Sequence, residues 1–115
     1  MDSMVSYLKS KRMKYGLKQD MIDAIQGVFA KYSQVKKAVL YGSRAKGNYR
    51  PNSDIDLTIT GEKLDLSIQL KIETELDDLL LPYKIDLSVF DKIENPDLIE
   101  HIKRKGVAFY VNNTA

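Results

Sequence analysis

Apolar residues recur along this 115-residue chain with two different periods. Residues 19–32 and 66–81 repeat them every three or four positions, which predicts two amphipathic helices. Residues 54–60 and 84–90 alternate apolar and polar side chains, which predicts two strands with one buried face each. Residues 37–41 and 107–111 are short segments rich in branched and aromatic residues, which predict two more strands. Asn95 and Pro96 form a typical helix start, with Asn as N-cap and Pro in the first turn, so a third helix is predicted before the last strand.

The predicted order is therefore α-β-β-α-β-α-β. It indicates an α/β (α+β) fold with a short mixed sheet of about four strands flanked by helices. We expect helices on one face of the sheet and a ligand on the other. Residues 43–53 have the composition of a loop that opens with one helical turn at Ser43. Residues 1–18 form an N-terminal lead with loosely helical spacing, and residues 19–115 form the domain.

Composition excludes several function classes. The chain is 43% hydrophobic and 30% charged, as is ordinary for a globular domain, and has no cysteine. Disulfides, thiolate zinc sites and cysteine nucleophiles are thus excluded, and a cytoplasmic location is expected. Because a membrane span needs ~20 consecutive apolar residues and the longest apolar stretches here are far shorter, no membrane partner is expected.

The charge is unevenly distributed between the two halves of the chain. Residues 1–53 carry a net charge of +8 and residues 54–115 carry −6, which leaves +2 in total. This asymmetry is compatible with an assembly of several chains, although helix surfaces also drift in charge by chance. The total is too small to indicate direct binding of nucleic acid.

Three acidic residues fall on polar strand positions. Asp54 and Asp56 are two residues apart in one strand and therefore project to the same side. Asp86 lies between Ile85 and Leu87, as Asp56 lies between its own apolar neighbours. Each acid alone is most simply a solvent-exposed residue. Together on one sheet face they would repel each other, and three converging carboxylates can hold two Mg²⁺ ions ~3.5–4 Å apart.

A glycine and a serine supply a possible phosphate site before these acids. Gly42 and Ser43 follow a strand directly, and a glycine there lets the backbone approach a phosphate closely. The Ser43 hydroxyl adds a donor, and Arg44 and Lys46 are close enough in sequence to add positive charge. The pair is a weak signal by itself and gains meaning only beside the three acids.

The spacing of these residues resembles a known signature. Gly42-Ser43, ten residues, then Asp54-x-Asp56 is similar to the G-S-x10-D-x-D motif of the polymerase-β-type nucleotidyltransferase superfamily. The chain length and the strand around Asp86 resemble the superfamily's minimal nucleotidyltransferases (MNT), often the antitoxin half of a HEPN/MNT toxin–antitoxin pair. The resemblance covers residues ~20–111 and implies a fold like the palm of polymerase β.

The resemblance also implies roles. Asp54, Asp56 and Asp86 would be the catalytic and metal-binding residues, holding two Mg²⁺ ions. Gly42, Ser43 and Arg44 would bind the nucleotide, with ATP as substrate and Arg44 as the charged helper. The antitoxin members transfer AMP to tyrosine hydroxyls of a HEPN RNase toxin and bind it directly, so a hetero-complex with a HEPN-type toxin is expected.

Two other functions remain open at this point. The chain could be an antitoxin that only masks its partner, or a transferase for a small-molecule or RNA acceptor that a partner subunit holds. His101 is the only histidine, which excludes a histidine-based metal cluster and a Ser-His pair, so a structural role is expected for it. Tyr49 in the motif loop either stacks on a base or is a plain loop residue, and Tyr41 is expected in the core.

Overall fold

A computed structural model of the chain describes residues 13–113, and these fold into a mixed sheet with helices packed on it. In chain order the elements are β1 (Met13–Lys14), β2 (Leu17–Lys18), α1 (Gln19–Ala30), β3 (Val35–Tyr41), α2 (Ser43–Lys46), β4 (Ile55–Gly61), α3 (Leu66–Asp77), β5 (Ile85–Val89), a 3-10 turn (Phe90–Lys92), α4 (Pro96–Lys105) and β6 (Val107–Val111). None of the helices described in this range is long and apolar enough to cross a membrane.

The main sheet has four strands in the order β5-β4-β3-β6. Strand β3 pairs antiparallel with both β4 and β6, whereas β4 and β5 are parallel. The parallel pair requires a crossover, and α3 supplies it. The predicted mixed sheet of four strands flanked by helices is therefore confirmed.

One face of the sheet forms the core with α1 and α3. Ile55, Leu57 and Ile59 of β4 are fully buried there, as the alternation of apolar and polar residues predicts. Phe29 of α1 and Ile72 of α3 are also fully buried in this cluster. Burial of each such side chain contributes about 1.5–3 kcal/mol, so this face holds the strands in register.

Helix α4 covers part of the opposite face. Ile102 of α4 is buried, and Gly106 at its C-terminus lies close to the Val39 side chain of β3. The rings of Tyr41 and His101 meet edge-on, with centroids 6.4 Å apart. The second face is therefore partly covered by a helix, which the expectation of helices on one face did not include.

The end of α3 and the structure of residues 13–18 differ from the predictions, and residues with positive φ lie at both places. Helix α3 ends at Asp77 rather than at residue 81, and Leu80 then takes a left-handed conformation with φ of 55°. The N-terminal lead was predicted from its loosely helical spacing. Its described part, residues 13–18, forms the β1–β2 hairpin instead. Its tip, Tyr15 and Gly16, has φ of 59° and 73°, which is typical of a two-residue hairpin turn. Residues 1–12 lie outside the described residues.

The start of α4 agrees with its prediction. The Asn95 side chain accepts hydrogen bonds from the backbone N–H groups of Asp97 and Leu98, at 2.9 and 3.3 Å. Pro96 follows in the first turn, and Gly106 is the C-cap, with its N–H donating to the Ile102 carbonyl. Caps of this kind satisfy backbone groups that the helix leaves unpaired.

Candidate active site

Three polar side chains form a row across the uncovered end of the sheet. Tyr41 is the register partner of Asp56 on the antiparallel side, and Asp86 is its partner on the parallel side. Register partners in adjacent strands lie about 4.8 Å apart and point to the same face. The structure therefore brings Asp56 and Asp86 together, although they are thirty positions apart in the sequence.

Asp54 completes the acidic group from just outside β4. It precedes the strand by one residue, is exposed, and is close enough to Asp56 for its charge to act there. Burial raises the pKa of Asp56, and the negative charges of Asp86 and then Asp54 raise that pKa further. The three acids thus interact as like charges at one end of the sheet.

The donor chemistry of this group fits a divalent cation. Carboxylate oxygens are hard ligands of the type that Mg²⁺ prefers. Among residues 13–113, the charged groups that shift the pKa of Asp56 are both acids, and no cationic side chain offsets them. Within the same part of the chain, no group of three or more His, Cys, Asp or Glu side chains is placed so that it could hold a metal ion. The assignment of Asp54, Asp56 and Asp86 as metal ligands therefore stays a prediction.

Gly42 lies against the central acid of the row. Its φ of 75° and ψ of −156° fall in a region that is essentially restricted to glycine. A Cβ atom at this position would be 2.3 Å from Oδ2 of Asp56. The sequence predicts a glycine here for close approach to phosphate, and the structure adds a second reason, since the carboxylate of Asp56 occupies the space of the missing side chain.

Ser43 begins the short helix α2 immediately after this turn. It is partly exposed, so its hydroxyl is accessible to a ligand. Lys46 at the other end of α2 is exposed as well. The proposed phosphate contacts of Gly42 and Ser43 stay predictions, but the structure does place both residues next to the acidic row.

Arg44 lies in surroundings different from those expected for a phosphate ligand. Its side chain is only 2% exposed, and its guanidinium donates to the carbonyl oxygens of Tyr15, Pro51 and Ser53. The rings of two tyrosines cover it, Tyr49 and Tyr83. A direct contact between Arg44 and the nucleotide stays a prediction, which these contacts do not favour.

Tyr41 is a site residue that the sequence analysis assigned only to the core. It is 8% exposed, as expected for a core residue, but its side chain belongs to the acidic row. Burial raises the pKa of Tyr41, the charges of Asp56 and Asp86 raise it further, and the Ser88 hydroxyl lowers it. The sequence alone could not place Tyr41 beside Asp56, because that requires the register between β3 and β4, and the register is a contact between strands.

These features together define a class of protein. A strand, a Gly-Ser turn and a short helix precede a strand with paired acids, and a third acid lies beside them on a parallel strand. This is the arrangement of a nucleotidyltransferase domain. The polymerase β nucleotidyltransferase family model matches residues 23–115, and the chain belongs to that family.

Solved structures of similar fold include toxin–antitoxin complexes. A toxin–antitoxin structure with AMP-PNP superposes with a TM-score of 0.65 at 19% identity, over 80% of this chain and 74% of the other. An MNT antitoxin in complex with a tri-AMPylated HEPN toxin from Shewanella oneidensis gives 0.61 at 17% identity, over 82% and 72%. A protein described as a minimal nucleotidyltransferase gives 0.60 at 23% identity, over 84% and 97%. No curated protein matches the chain significantly.

Proposed function

We propose that this protein is a Mg²⁺-dependent adenylyltransferase that moves AMP from ATP to a hydroxyl, a tyrosine hydroxyl in particular, of a partner HEPN-type toxin. The observation that carries the proposal is the alignment of Asp56 with Asp86 on neighbouring parallel strands, next to the turn at Gly42, in a chain of the nucleotidyltransferase family. The similarity of the fold to antitoxins in toxin–antitoxin complexes supports the partner.

In the proposed reaction the acceptor oxygen attacks the α-phosphorus of ATP. The bond from the α-phosphorus to the bridging oxygen of the β-phosphate breaks, and pyrophosphate leaves. Asp54, Asp56 and Asp86 would hold the Mg²⁺ ions, and bound Mg²⁺ would supply neutralisation of phosphate charge and a lower pKa of the acceptor hydroxyl. Asp86 is exposed, so its carboxylate can receive the proton of the acceptor. Gly42 and Ser43 orient the β- and γ-phosphates through backbone and hydroxyl donors.

The first test measures transfer from ATP labelled at the α-phosphate. The purified protein is incubated with Mg²⁺ and a purified HEPN-type toxin, and label on the toxin is quantified. We expect Asp56→Asn and Asp86→Asn to lose at least about 100-fold in rate, because charge stabilisation by the metals is worth about 3 kcal/mol or more. Asp91→Asn, which removes an exposed acid outside the row, is the matched control and should match the wild type.

The outcomes separate the open functions. The proposal is supported if the wild type labels the toxin and Asp56→Asn does not. Equal labelling by Asp56→Asn refutes it. If the wild type binds and silences the toxin without labelling it, the protein acts as a masking antitoxin. If neither labelling nor silencing of the toxin occurs, the proposed partner is refuted, and transfer to a small-molecule acceptor is the function left open.

A further inference from the structure

Arg44 is the largest fully buried side chain of the described residues. A charged group removed from water costs several kcal/mol unless it is well hydrogen-bonded. Here the guanidinium is satisfied by neutral oxygens: Nη1 donates to the Tyr15 carbonyl at 2.9 Å, and Nη2 and Nε donate to the Ser53 carbonyl at 2.8 and 3.2 Å. A fourth, longer bond of 3.5 Å runs from Nη2 to the Pro51 carbonyl. All three guanidinium nitrogens donate to backbone carbonyls, which indicates a structural connection.

The partners of Arg44 belong to the segments that carry the candidate site. Arg44 itself follows Gly42 and Ser43, and Ser53 immediately precedes Asp54. The Tyr83 ring, whose centroid is 4.6 Å from Cζ of Arg44, lies just before β5 and its acid. We propose that Arg44 is a positioning residue that sets the distance between the Gly-Ser turn and the acidic row.

The loop between α2 and β4 depends on this connection. Within the loop, the backbone is tied by Ser53 N–H to the Arg50 carbonyl and by Arg50 N–H to the Ser53 hydroxyl. Those bonds close the loop on itself and do not attach it to α2. The bonds from Arg44 to the Ser53 carbonyl provide that attachment, one residue before Asp54.

The tip of the β1–β2 hairpin completes the surroundings of the guanidinium. Tyr15 accepts one of its bonds, and Gly16 lies against both Arg44 and Tyr49. A Cβ atom on Gly16 would be 2.3 Å from Cε2 of Tyr49 and 2.8 Å from Nη1 of Arg44. Leu17, next along the chain, is fully buried and anchors the hairpin in the core. The hairpin, outside the segment that matches the family, thus supports the site.

Arginine is specifically suited to this position. Its planar fork presents donors in fixed directions and stacks on aromatic rings, whereas a lysine ammonium is a compact point charge that cannot span the same carbonyls. Arg44→Lys keeps the charge but loses the fork. If Arg44 instead contacted phosphate directly, lysine would substitute well, since lysine also binds phosphate.

The test compares Arg44→Lys with Arg104→Lys, a change at an exposed arginine of α4. The measurement of kcat rests on the proposed function. Amide hydrogen exchange of residues 53–56 does not need any activity, so it is measured in parallel on the protein without ligand. We expect faster exchange there and a 10- to 100-fold lower kcat for Arg44→Lys, with little change in KM for ATP, because small misplacements of catalytic groups cost this much. Arg104→Lys should change neither.

A second variant tests the connection without changing Arg44 itself. Gly16→Ala should displace the hairpin tip and reproduce the faster exchange and the lower kcat, whereas Gly27→Ala, whose Cβ would meet nothing within 4 Å, should not. This variant decides the question if Arg44→Lys fails to fold.

The outcomes are distinct from those of the proposed function. Unchanged exchange and kcat in both variants overturn the positioning role, and so does a rise in KM alone. If the wild type shows no transfer, the proposed function fails, and accelerated exchange in both variants still supports the connection.

Discussion

At the scale of single residues, the site depends on atoms that share a very small space. Asp56 is partly buried, has an acid on the neighbouring strand, and has a glycine backbone where another residue would place a side chain. Burial and the neighbouring carboxylates raise the pKa of this carboxyl, which means that its charged form costs the folded protein stability. Function and stability are therefore opposed at Asp56.

Gly42→Ala tests the contact between the turn and the acid. The new Cβ would collide with the Asp56 carboxylate, and the backbone region is closed to alanine. We expect loss of Mg²⁺-dependent AMP-PNP binding, by at least about 10-fold, and a lower melting temperature. Binding is measured by calorimetry and stability by thermal unfolding.

Gly47→Ala is the matched control for that change. Gly47 also has a positive φ, of 88°, but a Cβ there would meet nothing within 4 Å. It should cost about 1 kcal/mol of stability from the backbone alone and leave binding intact. Equal loss of binding in the two variants would show that backbone strain, and not the contact with Asp56, is responsible.

Asp56→Asn should stabilise the metal-free protein at neutral pH. Because the folded state raises the pKa of this carboxyl above its ordinary 3.8, folded protein binds the proton more tightly than the unfolded chain does. The stability of the wild type therefore falls as pH rises from that value through the folded pKa. Asp56→Asn has no carboxyl at this position, so this fall in stability with rising pH does not occur in it.

Urea unfolding in the presence of a chelator measures the effect across pH. We expect the variant to be the more stable protein at about pH 7 and the difference to disappear below about pH 4, where the wild-type carboxyl is protonated in both states. Asp91→Asn, a change at an exposed acid outside the row, is measured beside it as the control. A variant less stable than the wild type at neutral pH would contradict the pKa argument.

At the scale of elements, short hydrogen-bonded connections decide where each strand and helix begins. The N–H of Ile55 donates to the Lys84 carbonyl at 2.8 Å, which ties the start of β4 to the start of β5. Asp65 caps α3 by accepting from Ile68 N–H, as Asn95 caps α4. The caps set the first turns, and so they set where the helices lie on the sheet.

Asn95→Ala removes the cap of α4 without touching the acidic row. Two backbone N–H groups lose their acceptor, so the free energy of unfolding should fall by about 1 kcal/mol, within a range of roughly 0.5–2 kcal/mol. Urea unfolding measures the change. Asn95→Asp, which keeps an acceptor, should be close to the wild type, and AMP transfer should be unchanged in both.

At the scale of the whole molecule, the sheet has two faces with different tasks. The face under α1 and α3 is an apolar core, and the other is partly covered by α4 and leaves the acidic row at one end. Tyr41 connects helix α4 to the acidic row, since its ring meets His101 of α4 and its register partner is Asp56. Ligand binding at the row should therefore stabilise the whole fold.

Mg²⁺ together with AMP-PNP should raise the melting temperature strongly, and either alone should do so much less. At a ligand concentration 100 times Kd the gain is about 2.7 kcal/mol, which corresponds to roughly 10 °C or more for a domain of this size. Thermal unfolding measures it. The Asp56→Asn variant should show little shift, and an equal shift without Mg²⁺ would contradict a site that needs the metal.

The main helices and the four strands of the main sheet could be predicted from the sequence because each follows from a local rule. The alternation of apolar and polar residues predicts the strand β4, and the Asn95-Pro96 pair marks a helix start. The end of α3 and the hairpin at Tyr15 and Gly16 were not predicted, since left-handed residues and a two-residue turn depend on packing as well as on composition.

The order of the main helices and strands after residue 18, the mixed class of fold and the membership in a nucleotidyltransferase family were thus determined by the sequence alone. The tertiary structure decided which acids become neighbours, because the register of Asp56 and Asp86 is a contact between strands that no local pattern contains. It also decided the surroundings of Arg44. Local sequence offered a charge beside a Gly-Ser turn, but only the long-range arrangement of Tyr15, Ser53 and Tyr83 buries that charge and makes it a connection.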